Sequence, residues 1–541
     1  MRVYATRHIP GRRGHVPGDS PMKAHSMKAH SLMVLGTASS VGKSTIVAAL
    51  CRIFANMDID VAPFKAQNMS LNSAPTLEDL EIGRAQAFQA EAARKAPSVD
   101  MNPILIKPTG DSRAQVVVEG RPWKQADAWE LYREKPGLLF PFAVAAYERL
   151  AQRVELVVLE GAGSPAEINL RDGDIANLRM ARAANAPCLL VGDIERGGVF
   201  ASIYGTLALL EPEERRLVRG FVINKFRGEV RLLDGGIAEI ERRVGIPCMG
   251  VIPWSRDFDL DEEDSCGAAR SHEAWDGETR SDRRLRIAIV ELPSTANATD
   301  FAALRSESAV ALRWIRTADE MDGADAVIVP GSKDTIADVR WIRSAGLDDA
   351  LIRHARADKP LIGICGGLQI LGNRISDPHG VESGGEERGL GLLDVDTTLE
   401  LHKTTTQCTG TLTTDVLFDA NVETLDLSGY EIHVGSTILG PSVRPFARLV
   451  RRDGTRTEDG AVNARGNVIG TYLHGLFDGD ALRHRLLDQL RAGASLEPMR
   501  VRSDFSANRE ARIENLAGHV SRALDVEAIL GFAGIESVAS V

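Results

Sequence analysis

The stretch "LMVLGTASSVGKSTIVAALCRIF", residues 32–54, constrains this chain more than any other. Its opening apolar run is a buried-strand candidate that ends at Gly36; small residues follow to Gly42, and Lys43 opens a helical pattern. A loop in that position gathers backbone N–H groups and the positive end of the helix dipole around one point, which makes an anion site. Strand, loop and helix in this order are also the first βα unit of a parallel sheet.

The loop is one residue longer than the usual phosphate-binding pattern, because five residues separate Gly36 from the Gly-Lys-Ser anchor at Gly42, Lys43 and Ser44. The anchor itself is unaltered. Lys43 is placed to neutralise β/γ-phosphate charge and Ser44 to ligate Mg²⁺, with Thr45 as second choice for the metal. Gly36 and Thr37 complete the expected ATP-binding loop. The spacing resembles that of the dethiobiotin synthetase branch of P-loop enzymes, where Gly-Thr opens the loop. That resemblance implies transfer of the γ-phosphoryl group of ATP to a substrate carboxylate, which activates it.

From residue 32 to about 253 the pattern of apolar run, Gly-rich or polar turn and longer amphipathic stretch repeats, as in βα units on a parallel sheet. The strand candidates are "LMVLG", "DVAPFK", "VELVVLEG", "APCLLVGD", "GFVINK" and "PCMGVIP". Functional residues belong at their C-terminal ends, where the crevice of an open α/β sheet lies. Glu160 in "VVLEGAGS" could complete a Mg²⁺ shell or serve a turn, and Asp193 in "LLVGDIERGG" could act on metal or substrate. In the dethiobiotin synthetase branch, adenine recognition falls where Asn224, Lys225 and Pro253 stand here.

Residues 255–285 break the rhythm with dense charge and mark a linker. Strands resume with "RIAIVEL", "ADAVIVPGS" and "KPLIGICGG", so residues 286–485 read as a second α/β domain after a first at 31–254. A tail over 486–541 has Leu and Ile at helical intervals and is expected to pack on that second domain. Residues 1–30, with "MKAHS" repeated, read as a disordered extension or a misplaced start.

In "KPLIGICGGLQILG" Cys365 follows an apolar strand and precedes Gly366, Gly367 and a helix. Such a nucleophile elbow exposes the thiol and offers backbone N–H groups to an oxyanion. Its base should be a His at another strand end: His474 in "NVIGTYLHGLF", or His433 in "GYEIHVG". These motifs resemble the class I glutamine amidotransferases, a flavodoxin-like fold, in which the Cys attacks the side-chain amide of glutamine and releases ammonia. The resemblance favours His474 and makes Gly331 of "VPGSKDT" an oxyanion contributor beside Gly366. One position departs from it: two residues after the His the family has Glu and this chain has Leu476. No third member of the site is assigned.

At 541 residues the chain is long enough for two to four domains. Its formal charge of -11 repels a phosphodiester backbone, so nucleic acid is not an expected partner. No pair among the six cysteines has CxxC spacing, which fits a reduced cytoplasm. No apolar run approaches the roughly 20 residues of a membrane span, so no membrane insertion is expected. The sequence carries no signal for oligomeric state.

A carboxylate activated by phosphorylation and an ammonia source in one chain make an amide-forming synthetase. From about Met27 to residue 530 the order of "GTASSVGKST", "FKAQNMSLNSAPT", "EGAGSPAEINLRDGDIANLRMA", "VGDIERGGVFAS", "GICGGLQILG", "GYEIHVG" and "YLHGLF" closely resembles the cobyric acid synthase (CobQ/CbiP) family of cobalamin biosynthesis. The resemblance implies use of ATP, Mg²⁺ and glutamine to amidate the b, d, e and g carboxylates of a corrinoid, adenosylcobyrinic acid a,c-diamide. Lys65, Asn68 and Asn72 are then expected to face the phosphate or the corrinoid side chains, or to serve turns. The related a,c-diamide synthases carry an acidic "GPDYID"-like stretch where this chain has "QNMSLN". A non-catalytic ATP switch of the partitioning type is the alternative from another class. Such switches carry an extra early Lys where this chain has Thr37, and the chain retains Cys365 and His474.

Overall fold

The computed structural model describes residues 29–109, 113–255, 275, 283–413, 416–418, 420–421 and 425–536. The expected N-terminal extension up to residue 28 and most of the expected charged linker lie outside the described residues.

The first domain is built on β1 (His30–Gly36), α1 (Lys43–Asn56), β2 (Val61–Phe64), α2 (Arg84–Ala92), β3 (Leu156–Glu160), β4 (Cys188–Asp193), β5 (Val218–Phe226) and β6 (Cys248–Pro253). All six predicted strands join one parallel sheet in the order β6-β5-β4-β1-β3-β2. Leu32, Met33, Val34 and Leu35 of β1 are fully buried, as a central strand covered on both faces requires. The strand order reverses around β1, so the loop leaving β1 sits at the switch point where such sheets bind ligands. Between β2 and β3 the chain builds a separate sheet from Gln67–Met69, Ile104–Pro108, Arg113–Val118 and Arg121–Asp127, which the βα rhythm did not announce.

The second domain follows with β7 (Leu285–Val290), β8 (Val310–Ile315), β9 (Ala326–Val329), β10 (Leu361–Ile364), α3 (Gly366–Leu371), β11 (Val395–Leu412), β12 (Asp426–Leu439) and β13 (Val468–Thr471). Strands β8-β7-β9-β10-β13 are parallel, while β11 and β12 pair antiparallel in another sheet. The fold class is therefore two α/β domains, each on a parallel sheet.

The tail behaves differently from expectation. Helix α4 (Asp480–Gly493) does bury Leu482, Leu486, Leu487 and Leu490 in the second domain's core. Helices α5 (Phe505–Ala523) and α6 (Val526–Ala533) return to the first domain. The stripe Ile513, Leu516, Ala517 and Val520 on α5 shares a core with Val47, Leu50 and Phe54 of α1. Arg52 on α1 is buried and needs counter-charge, which α5 supplies through Glu510 at 2.5 Å and Glu514 at 2.6 Å. Leu and Ile spacing reports that a helix has an apolar face, not which domain covers it. No helix of the described residues is long and apolar enough to cross a membrane.

Candidate active site

The loop after β1 is supported from below by β5. Gly42 has φ 96°, and a Cβ there would lie 2.3 Å from Asn224 Nδ2. Asn224 Nδ2 donates to Val41 O at 2.8 Å, and Lys225 Nζ donates to Ser40 O at 2.6 Å. Asp193 flanks this support, 3.1 Å from Lys225 Nζ. Thr37 N–H is committed to Val191 O of β4. Lys43 Nζ donates to the backbone carbonyls of Ala38 (2.9 Å) and Gly163 (3.0 Å), which hold it over the loop.

Register places Glu160 of β3 beside Val34 of β1, under the start of α1. Its Oε1 accepts Ser44 Oγ–H at 2.8 Å and Lys65 Nζ–H at 3.0 Å, and its Oε2 accepts Gln89 Nε2–H at 2.6 Å. Burial would raise the Glu160 pKa, but the Lys65 charge and these hydrogen bonds hold it below the usual carboxylate range. One hydroxyl and one carboxylate are hard oxygen donors that fit Mg²⁺, which takes its remaining positions from phosphate and water. Among the described residues no group of three acidic, His or Cys side chains forms a metal cage.

This loop opens into a cleft of about 940 Å³ that also takes in Lys65 and Asn68. Asn68 is buried, and its Nδ2 donates to Gln86 Oε1 at 2.9 Å. Arg171, Arg179 and Arg182 line the cleft together with Glu167, Asp172, Asp174 and Glu214, and Arg171 is paired with Glu211 at 2.8 Å. Seven expected residues do not line the cleft: Gly36, Thr37, Asp193 and Asn224, which belong to the loop and its support, with Thr45, Asn72 and Pro253. Asn72 sits at the domain boundary, where its Oδ1 accepts Ala298 N–H at 3.3 Å. Pro253 is exposed, with its carbonyl 2.8 Å from His519 Nε2.

The second site sits at the C-terminal ends of β10 and β13, which are parallel neighbours with Ile364 opposite Thr471. Cys365 has φ 52° and ψ -107°, a strained conformation for a residue with a Cβ. Its N–H donates to Thr471 O at 2.7 Å. A Cβ on Gly367 would lie 2.0 Å from Val329 O, so the sharp turn into α3 closes only with glycine there.

His474 is buried and lines one cavity with Cys365, whose Sγ lies 3.7 Å from Ile432 O. Its Nδ1 lies 2.7 Å from Asp300 Oδ2, whose other oxygen accepts Gly475 N–H at 3.0 Å. Burial alone would lower the His474 pKa, but the charge and hydrogen bond of Asp300, with Cys365, raise it to about 10. Asp300 thus stands where an orienting carboxylate is needed, while Leu476 is buried in the core. His433 lines the same cavity, but its ring nitrogens meet Gly435 O at 2.9 Å and Glu431 Oε1 at 3.2 Å. The cavity holds about 50 Å³ and includes Gly331, Lys333, Gln369 and Glu382; Gly366 abuts Ser332 beside it.

Residues that sequence reading missed hold both sites. Gln89 binds Glu160 from α2, and Arg84 at the start of the same helix hydrogen-bonds Tyr430, whose ring stacks on His474 at 5.2 Å. The signal for Asp300 was its place beyond the end of strand "RIAIVEL", although nothing tied it to a His 174 residues away.

Residues 32–265 match the CobQ/CobB/MinD/ParA nucleotide binding domain, and residues 286–482 match the CobB/CobQ-like glutamine amidotransferase domain. The chain is 46% identical over 501 residues to a cobyric acid synthase of Salmonella heidelberg (strain SL476), covering 92% of this chain and 97% of the relative. It is 47% identical over 505 residues to a cobyric acid synthase of Photorhabdus laumondii, with the same coverage of 92% and 97%. With a relative this similar matched along almost its whole length, and both domains matched in the same order, the chain belongs to the cobyric acid synthase family.

Proposed function

We propose that this protein is a cytoplasmic ligase that uses ATP and glutamine to amidate the b, d, e and g carboxylates of adenosylcobyrinic acid a,c-diamide, giving adenosylcobyric acid. One observation carries this reading: a Cys365-His474-Asp300 constellation and a Lys43-Ser44-Glu160 constellation stand in one chain of this family.

In the glutaminase half, Cys365 Sγ attacks the side-chain carbonyl carbon of glutamine. The C–N bond breaks, the departing nitrogen takes a proton from His474 and leaves as NH₃, and water then hydrolyses the thioester to glutamate. Asp300 orients His474 and balances its charge, and the backbone at Gly331 and Gly366 is assigned to the oxyanion. In the synthetase half, Gly36, Gly42 and Lys43 cradle the ATP phosphates. A corrinoid carboxylate oxygen bonds the γ-phosphorus as the bond to ADP breaks. The resulting acyl phosphate is attacked by NH₃ at its carbonyl carbon and releases phosphate, leaving the amide. Ser44 and Glu160 are the residues that would hold Mg²⁺, which neutralises phosphate charge when bound. Lys65 and Asn68, with the three cleft arginines, face the substrate's carboxylates.

The division of labour is tested by nitrogen source. Cys365→Ser is expected to abolish amidation with glutamine and retain it with external ammonium chloride; loss with both sources would contradict the assignment. Lys43→Ala is expected to lose amidation with either source.

A further inference from the structure

We propose that ammonia crosses from the Cys365 cavity to the ATP cleft at the wall formed by residues 70–73, with Leu71 as its gate; this rests on the amidation proposed above. Leu71 lines both cavities. The residues beside it are pinned to the second domain: Asn72 Oδ1 accepts Ala298 N–H at 3.3 Å, and Ser73 N–H donates to Asn297 Oδ1 at 3.0 Å. Asn297 itself lines the Cys365 cavity. The Leu71 side chain is therefore held between fixed backbone points, half-buried, with a glutaminase on one side and a phosphate site on the other. An apolar constriction between two polar cavities hinders water and ions more than it hinders a small neutral molecule.

The charges around the wall favour the neutral species. Lys107, Lys333 and Lys403 line the Cys365 cavity. Buried Glu81 of the first domain bridges Lys107 and, at 2.5 Å, Lys403 of the second domain, and Lys107 Nζ also donates to Ser73 Oγ at 2.9 Å. This bridge locks the wall against β11. Burial, with Lys403 and Lys333 nearby, pulls Lys107 down to about 7. A small cavity lined by three lysines disfavours a further cation, so nitrogen entering the wall does so as NH₃, the form that can attack an acyl phosphate.

The test uses the full chain carrying Leu71→Trp or the milder Leu71→Phe. Three rates are compared: glutamate release, amide formed from glutamine, and amide formed from ammonium chloride. Leu71→Trp is expected to lower the amide formed per glutamate released at least about fivefold, with Leu71→Phe intermediate, while the ammonium-driven rate stays within about twofold of wild type. If the tryptophan variant does not fold, the phenylalanine variant carries the same comparison. An unchanged amide-to-glutamate ratio would overturn the gate, as would an ammonium-driven rate that falls in step, which would assign Leu71 to substrate binding. If wild type forms no amide from either source, the amidation reading fails and the gate with it; if wild type forms amide and the ratio holds, the gate alone fails.

Discussion

The two sites differ in size and in how they are made. The larger cleft holds about 940 Å³ and its phosphate loop is one contiguous run, whereas the Cys365 cavity holds about 50 Å³ and its Cys, His and Asp come from separated parts of the chain. On the function proposed above, the first admits a nucleotide and a large polycarboxylate. The second must admit one amino-acid side chain and release a gas-sized product without losing it. In the first, charge is satisfied locally, with Glu160 taking three donors beneath the loop. In the second, Cys365 is held in a strained backbone conformation and His474 meets a carboxylate that the chain order hides.

This comparison breaks most sharply at Asp300. Asp300→Asn is expected to lower glutaminase kcat by about 10⁴-fold, because the His474 ring loses its tautomer and its counter-charge, while ammonium-driven amidation is unchanged. Steady-state glutamate release checks it; a variant as active as wild type would leave a Cys-His dyad as the whole machinery. Glu160→Gln acts on the other side only. Amidation should fall by about 10²-fold with either nitrogen source and glutamate release should persist, since the carboxylate that would hold Mg²⁺ against the phosphates is lost.

What was legible in the sequence follows the same division. Lys43, Ser44 and the small loop residues are contiguous, so strand, loop and helix could be read from neighbouring residues. Glu160 could be placed because parallel register brings strand ends together. Cys365 was visible because Gly366 and Gly367 report a turn that tolerates no side chain. Asp300, Tyr430 and Gln89 were not visible, since each acts through a contact that only the folded chain creates. Asn72, expected to face the phosphate or the corrinoid side chains or to serve a turn, has its Oδ1 on Ala298 N–H at the domain boundary, a contact no motif announces. The return of α5 to α1 was illegible for a related reason: helical periodicity marks a face, and only the buried Arg52 with its two glutamates shows what covers it.

Two smaller effects concern stability. Folding raises His474 from 6.5 to about 10, so its protonated pair with Asp300 contributes fully below about pH 6.5 and is lost as pH rises through about 10. The charged groups facing the ring are Asp300 and, beyond Tyr430, Arg84, with the Cys365 side chain beside them. The gap in denaturation midpoint between wild type and Asp300→Asn should therefore be widest near pH 6 and narrow toward pH 10. A gap that widens with pH would reverse the assignment. Smallest is Arg52→Met, which should cost about 1–3 kcal/mol in urea unfolding by detaching α5, since its partner glutamates are partly exposed. Glutaminase kcat should not change, because the Cys365 cavity shares no residue with that contact.

The central claim, that one chain makes ammonia and spends it on corrinoid carboxylates, meets its most direct test in mass spectrometry of adenosylcobyrinic acid a,c-diamide incubated with the protein, ATP, Mg²⁺ and glutamine. The account predicts four successive losses of one mass unit, each a hydroxyl replaced by an amino group, matched by glutamate release. An unchanged corrinoid mass would contradict it, as would amidation confined to two carboxylates of cobyrinic acid itself.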